Sequence, residues 1–132
     1  MKFDPAFIEA TFLKRYKRFL VDVRLSNGEI ITVHCPNTGS MKHCQVEESP
    51  CWISLTNKPG RKLPGTLEII TTANGHTAGV NTSRPNNLVR EGIENGTIVE
   101  LQGYSNIRNE VKYGEQNSRI DLLLEDGDSL CY

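Results

Sequence analysis

Short alternating segments punctuated by turn residues, a switch to helical spacing at Ser83, and two more extended runs before Tyr132 predict a mainly β protein with one or two helices. Residues 1–82 are expected to form a five-stranded Greek-key barrel, for which the OB-fold is one common solution. Residues 83–132 are expected to begin a second unit.

The first strand is read at Tyr16–Leu25, where Phe19, Val21, Val23 and Leu25 share one face. A three-residue Ser26-Asn27-Gly28 loop then sets Val23 opposite Ile31 and Val21 opposite Val33, pairing apolar residues. It also puts Gly28 where a positive φ is required. Pro36-Asn37-Thr38-Gly39 breaks the second strand, and Cys51–Thr56 resumes an extended pattern. After a loop rich in Lys, Pro and Gly, Leu67–Ala73 reads as a strand that Asn74-Gly75 turns into His76–Asn81. From Ser83, the run Ser83-Arg84-Pro85-Asn86-Asn87 offers helix caps. Leu88, Val89 and Ile93 recur at helical spacing, and Gly96 supplies a stop. Glu110–Tyr113 and Arg119–Leu124 are extended, and the latter leads through Asp126-Gly127 to Leu130-Cys131-Tyr132. One helix and two or three strands bury too little apolar surface to close a core, so the second unit is expected to be incomplete.

Composition narrows the function classes. With 37% hydrophobic and 23% charged residues the 132-residue chain is that of a globular protein, and no apolar run approaches the length of a membrane span. It carries no signal-peptide pattern, so a cytoplasmic protein with no membrane partner is expected. The four cysteines are expected as reduced thiols. A metal cluster from His34, Cys35, His43, Cys44 and Cys51 is disfavoured, because adjacent strand residues point to opposite faces. Net charge is −1, but residues 1–83 hold ten Lys/Arg against seven Asp/Glu, net +3, and residues 84–132 hold five against nine, net −4. A polyanion would meet the first part.

The residues best suited to phosphate contact and base stacking are Lys14, Arg15, Tyr16, Lys17 and Arg18, with Arg61 and Lys62 in a later loop. Basic strand ends also serve simply to discourage aggregation. Asn37-Thr38-Gly39-Ser40 could offer N–H groups to an anion or form an ordinary turn. In the strand Arg119–Leu124, Asp121 stands among apolar residues; it either pairs with Arg119, lies on a solvated face, or meets a cation. Phosphodiester hydrolysis usually needs two or three carboxylates around a divalent ion, and Asp121, Glu91 and Glu110 are the metal candidates.

Several runs, in order along essentially the whole chain, resemble the sugar fermentation stimulation protein A family. They are Arg15-Tyr16-Lys17-Arg18-Phe19-Leu20, His34-Cys35-Pro36-Asn37-Thr38-Gly39-Ser40-Met41, Asn81-Thr82, Glu110-Val111-Lys112-Tyr113-Gly114 and Ser118-Arg119-Ile120-Asp121. The resemblance implies an N-terminal OB-fold domain, residues 1–82, joined to a nuclease-like α/β domain of the PD-(D/E)xK type, of which residues 83–132 are the first part. It implies a DNA-binding regulator of sugar, especially maltose, metabolism. Asp121 would match the superfamily's first metal-binding Asp, with Glu91 or Glu110 as the further upstream acid. Family members continue beyond the Cys-Tyr strand into an acidic residue, a spacer and a Lys. Mg²⁺ is therefore expected in a full-length protein, with no tight binding to this chain. The alternatives are a metal-dependent DNA nuclease whose catalytic half lies outside this chain, and an OB module for oligosaccharide or protein.

Overall fold

A computed structural model describes every residue from Met1 to Tyr132, and the chain divides into two compact units, Lys2–Thr82 and Ser83–Tyr132, with Met1 grouped with the second. None of its helices is long and apolar enough to cross a membrane.

The first unit contains β1 (Ile8–Tyr16), β2 (Leu20–Arg24), β3 (Ile30–His34), β4 (Ser49–Leu55), β5 (Gly65–Thr71) and β6 (Thr77–Gly79). The sheet order is β3-β2-β1-β4-β5-β6. A parallel pairing of β3 with β5, His34 opposite Thr66, closes the first five strands into an OB-like barrel. Phe12, Val21, Val23, Val33, Cys35, Cys51, Ile53, Leu67 and Ile70 fill it and are essentially inaccessible to solvent. Each large side chain buried there contributes roughly 1.5–3 kcal/mol relative to exposure.

The barrel has five strands, but its first is β1, which the alternation of residues does not reveal. Phe12 pairs with Val23 and Lys14 with Asp22, so the register shifts at Leu13 and the inside-outside rhythm breaks there. The expected strand Tyr16–Leu25 is corrected accordingly. Lys17 and Arg18 have φ of 48° and 62° and form the β1–β2 turn, which leaves Phe19 exposed instead of beside Val21 in the core. His76–Asn81 supplies only the short β6, appended to the closed barrel.

The β2–β3 connection follows the expected register, with Val23 opposite Ile31 and Val21 opposite Val33. Gly28 has φ 86°, its N–H donates to the Leu25 carbonyl, and the Leu25 N–H donates to Glu29. The same hydrogen bonds recur at Thr72, Gly75 and His76.

The second unit has one helix, α1 (Pro85–Glu94), a 3₁₀ turn (Val99–Leu101), and an antiparallel sheet of β7 (Asn106–Tyr113), β8 (Ser118–Asp126) and β9 (Ser129–Cys131). Its buried apolar residues are Ile93, Leu123 and Leu124, whereas Leu88 and Val89 remain exposed. Arg84 occupies the N-cap, with no side-chain capping bond. Pro85 starts the helix by fixing φ where no intrahelical N–H is needed.

Candidate nucleic-acid interface

The barrel brings its cations together through two loops. The β1–β2 turn carries Lys17 and Arg18. The β4–β5 loop, drawn together by Thr56 N–H donating to the Pro64 carbonyl, carries Lys58, Arg61 and Lys62. In OB-folds the outer face of β2–β3 and these same two connections form the usual ligand surface. Outward positions here include Leu20 opposite His34 and Asp22 opposite Thr32.

Two exposed rings meet at this end. Phe19, 43% exposed, stacks on His34 with ring centroids 6.3 Å apart and planes 26° from parallel. His34 in turn lines a shallow cavity of about 320 Å³ with Arg61, Lys62, Leu63 and Gly65. The backbone beneath the rings is fixed, since Cys35 N–H donates to the Phe19 carbonyl at 2.8 Å.

Arg15 belongs to the scaffold of this site. Its Nε donates to Arg18 O at 2.7 Å, Nη1 to Gly39 O at 2.9 Å and Nη2 to Asn37 O at 2.6 Å. One planar guanidinium thus ties the cationic turn to the Pro36–Gly39 loop. That loop is also pinned by Asn37 Nδ2 donating to Val80 O. The Gly39 N–H, a candidate anion donor in the sequence, donates to Asn37 Oδ1 instead.

Lys14 and Tyr16 surround Asp22. The Tyr16 hydroxyl and Thr32 hydroxyl donate to Asp22 Oδ1 at 3.0 and 2.7 Å, and Lys14 Nζ lies 3.9 Å from Oδ2 and over the Tyr16 ring. These partners offset the one carboxylate on the face. Of the residues selected from sequence, Lys17, Arg18, Arg61 and Lys62 are exposed cations beside the ring stack. Phe19, His34 and Lys58, which the sequence does not single out for nucleic-acid contact, lie at the same end of the barrel. Only the turn at Lys17-Arg18 reverses the side on which Phe19 emerges, and no periodicity announces it.

No three acidic candidates of the second unit gather at one point, although Asp121 and Glu110 stand across from each other on β8 and β7. Asp121 is exposed on β8 and lines a cavity of about 370 Å³ with Asn86, Val89, Ile93, Leu122 and Tyr132. Arg119 pairs with Glu110 at 3.7 Å and not with Asp121. Glu110 is bracketed by the pairs Asn109–Leu122 and Val111–Ile120, which puts it across from Asp121 in the register, and its φ is 53°. Glu91 faces the Met1 ammonium at 3.0 Å. No three His, Cys, Asp or Glu side chains gather to hold a metal, so the residues present do not fit a bound divalent ion. The cysteines are all free, and burial, reinforced by the Glu9 charge, pushes the Cys51 thiol up to about 12.

Comparison with known proteins agrees with the barrel. Residues 13–80 match the SfsA N-terminal OB domain, and residues 83–132 match the sugar fermentation stimulation protein RE domain. A sugar fermentation stimulation protein homolog of Teredinibacter turnerae is 58% identical over the whole chain, which covers 56% of that protein. A Shewanella halifaxensis homolog is 53% identical, with 57% of it covered. The chain thus spans a little over half the length of these curated relatives. The solved structure of Pyrococcus furiosus SfsA in complex with Ca²⁺ superposes with a TM-score of 0.77 at 26% identity, covering 98% of this chain and 53% of that one. Barrel closure, two consecutive domain matches and identity along the full chain give one conclusion: the chain belongs to the sugar fermentation stimulation protein family.

Proposed function

We propose that this chain binds nucleic acid, DNA foremost, through the end of the barrel formed by the β1–β2 turn and the β4–β5 loop. The observation that carries this reading is the exposed Phe19–His34 stack beside Arg61 and Lys62, with Lys17 and Arg18 on the adjoining turn. Cations next to accessible rings suit a ligand that alternates phosphates with flat bases. In the longer family protein this binding would serve regulation of sugar metabolism, maltose included. The Pyrococcus relative was solved in complex with Ca²⁺, and in this chain the acids considered with Asp121 are paired elsewhere, Glu110 with Arg119 and Glu91 with the Met1 ammonium.

The test is a salt titration of DNA binding. Neutralised phosphates release counterions, so log K should fall against log salt by roughly 0.7 to 0.9 per contact. The double substitution Lys17→Ala with Arg18→Ala should weaken binding and flatten the slope. A salt-independent affinity, or competition by soluble maltooligosaccharide, would transfer the site to an oligosaccharide ligand.

A further inference from the structure

We infer that the Phe19–His34 pair is a base-stacking platform that makes this end of the barrel select single-stranded over duplex nucleic acid, an inference that rests on the nucleic-acid reading above. Both residues are exposed and their rings are stacked with planes 26° from parallel, so a base would extend the stack on an outward ring face. A base can stack there only if its own face is open. In a duplex those faces are covered by neighbouring base pairs, whereas a single strand can splay its bases onto aromatic rings.

The surroundings favour the same ligand. Leu20 pairs with His34, and Cys35 N–H holds the Phe19 carbonyl, so the platform is anchored on the barrel wall. Arg15 fixes the turn through Arg18 O, placing Lys17 and Arg18 beside Phe19, while Arg61 and Lys62 border His34. Each ring therefore has cations near it, Lys17 and Arg18 preceding Phe19 in the turn and Arg61 and Lys62 lining the cavity with His34. Asp22, the acidic group on the neighbouring outer face, is compensated by Tyr16, Thr32 and Lys14 and presents little repulsion to phosphates.

The experiment is fluorescence anisotropy with the whole chain and three labelled probes of equal length: oligothymidylate, an abasic single strand, and a duplex closed by loops at both ends. Oligothymidylate should bind more tightly than either of the others. Phe19→Ala should weaken it about 5- to 150-fold, leave the abasic strand unchanged, and be rescued by Phe19→Trp. Phe19 is exposed, so unchanged melting should accompany the loss. Equal binding of the abasic strand or closed duplex, or indifference of oligothymidylate to Phe19→Ala, overturns the stacking platform and leaves phosphate binding standing. Failure of all three probes to bind at low salt overturns the nucleic-acid reading itself.

Discussion

Arg15 Nη1 donates to the Gly39 carbonyl at 2.9 Å across a separation of 24 residues, joining the end of β1 to the loop that follows β3. With Arg18 O and Asn37 O as its other acceptors, this side chain ties the β1–β2 turn to the loop after β3 and has few donors left for a phosphate.

Arg15→Ala should therefore destabilise the barrel by about 1–3 kcal/mol, because it removes charge-assisted hydrogen bonds from three carbonyls. Arg15→Lys should recover only part of this, since an ammonium cannot reproduce the planar fork. Urea unfolding gives the magnitude, and amide exchange at Asn37–Gly39 gives the location. Full stability in Arg15→Ala together with a reduced salt slope in DNA binding would make Arg15 a phosphate ligand instead.

Gly65→Ala should also destabilise the first unit. A Cβ at Gly65 would stand 2.6 Å from the Ser54 carbonyl oxygen and 3.3 Å from Val33 Cγ1, at the seam where β5 meets β4 and β3. Backbone has to move, so the expected cost is about 1–3 kcal/mol. Thermal melting of the variant checks it, and an unchanged midpoint would show that the seam relaxes freely.

The sheet of the second unit carries an acid-sensitive contact. The hydrogen bonds from Arg108, with its charge and a further donor from Asn106, hold the Glu125 carboxyl below the usual carboxylate range. A carboxylate with a lowered folded pKa stabilises above its unfolded value, near 4.3, and loses that contribution as pH falls through the folded value. Stability of the β7–β8 pair should thus drop below about pH 4 by more in the parent than in Glu125→Gln. Amide exchange or chemical-shift titration of β7 at two salt concentrations measures it. Identical acid profiles would remove Glu125 as a source.

Thiol chemistry should separate the four cysteines. Cys35 and Cys51 are buried, and burial with the Glu9 charge raises the Cys51 thiol to about 12, whereas Cys44 and Cys131 are partly exposed. Alkylation requires the thiolate and access. Iodoacetamide near pH 8 should therefore label Cys44 and Cys131 first, with Cys51 labelled only on unfolding. Early modification of Cys51, read by peptide mass mapping, would contradict its place in the core.

The barrel is legible in the sequence wherever residue alternation and turn chemistry agree. Val21, Val23, Ile31 and Val33 define a register that Asn27-Gly28 permits, and no other loop length buries the same pairs. β1 is hidden because the shift at Leu13 destroys the period-two signal between Phe12 and Lys14. The cations of the proposed interface are readable as composition, but its rings are not. Phe19 looks like a core residue until Lys17 and Arg18 adopt left-handed backbone and return the chain. The roles of Arg15 and Glu110 are equally hidden, for each depends on a partner chosen by the folded backbone: Gly39 for Arg15 and Arg119 for Glu110.

The last expectation concerns hydrolysis, where Asp121 is the residue that resemblance singles out. In-line displacement at phosphorus builds negative charge on the attacking and leaving oxygens, and a fixed divalent ion normally offsets it. Mg²⁺ demands near-octahedral oxygen ligands and gives up its waters reluctantly, so it needs more than one well-placed carboxylate. Here Glu110 is engaged by Arg119 and Glu91 by the Met1 ammonium, and no third acidic group approaches Asp121. An ion held by Asp121 while Glu110 stays with Arg119 would leave the attacking water unaligned, and losing one preorganised charge-stabilising group typically costs about 3 kcal/mol at the transition state. This chain should accordingly show no DNA cleavage with Mg²⁺ or Mn²⁺ that Asp121→Asn removes. A relative of full family length, assayed beside it with and without the corresponding substitution, tests whether added residues supply the missing ligands. Metal-dependent cleavage by this chain that disappears in Asp121→Asn would show that the acidic residues leave Arg119 and the Met1 ammonium to hold a metal.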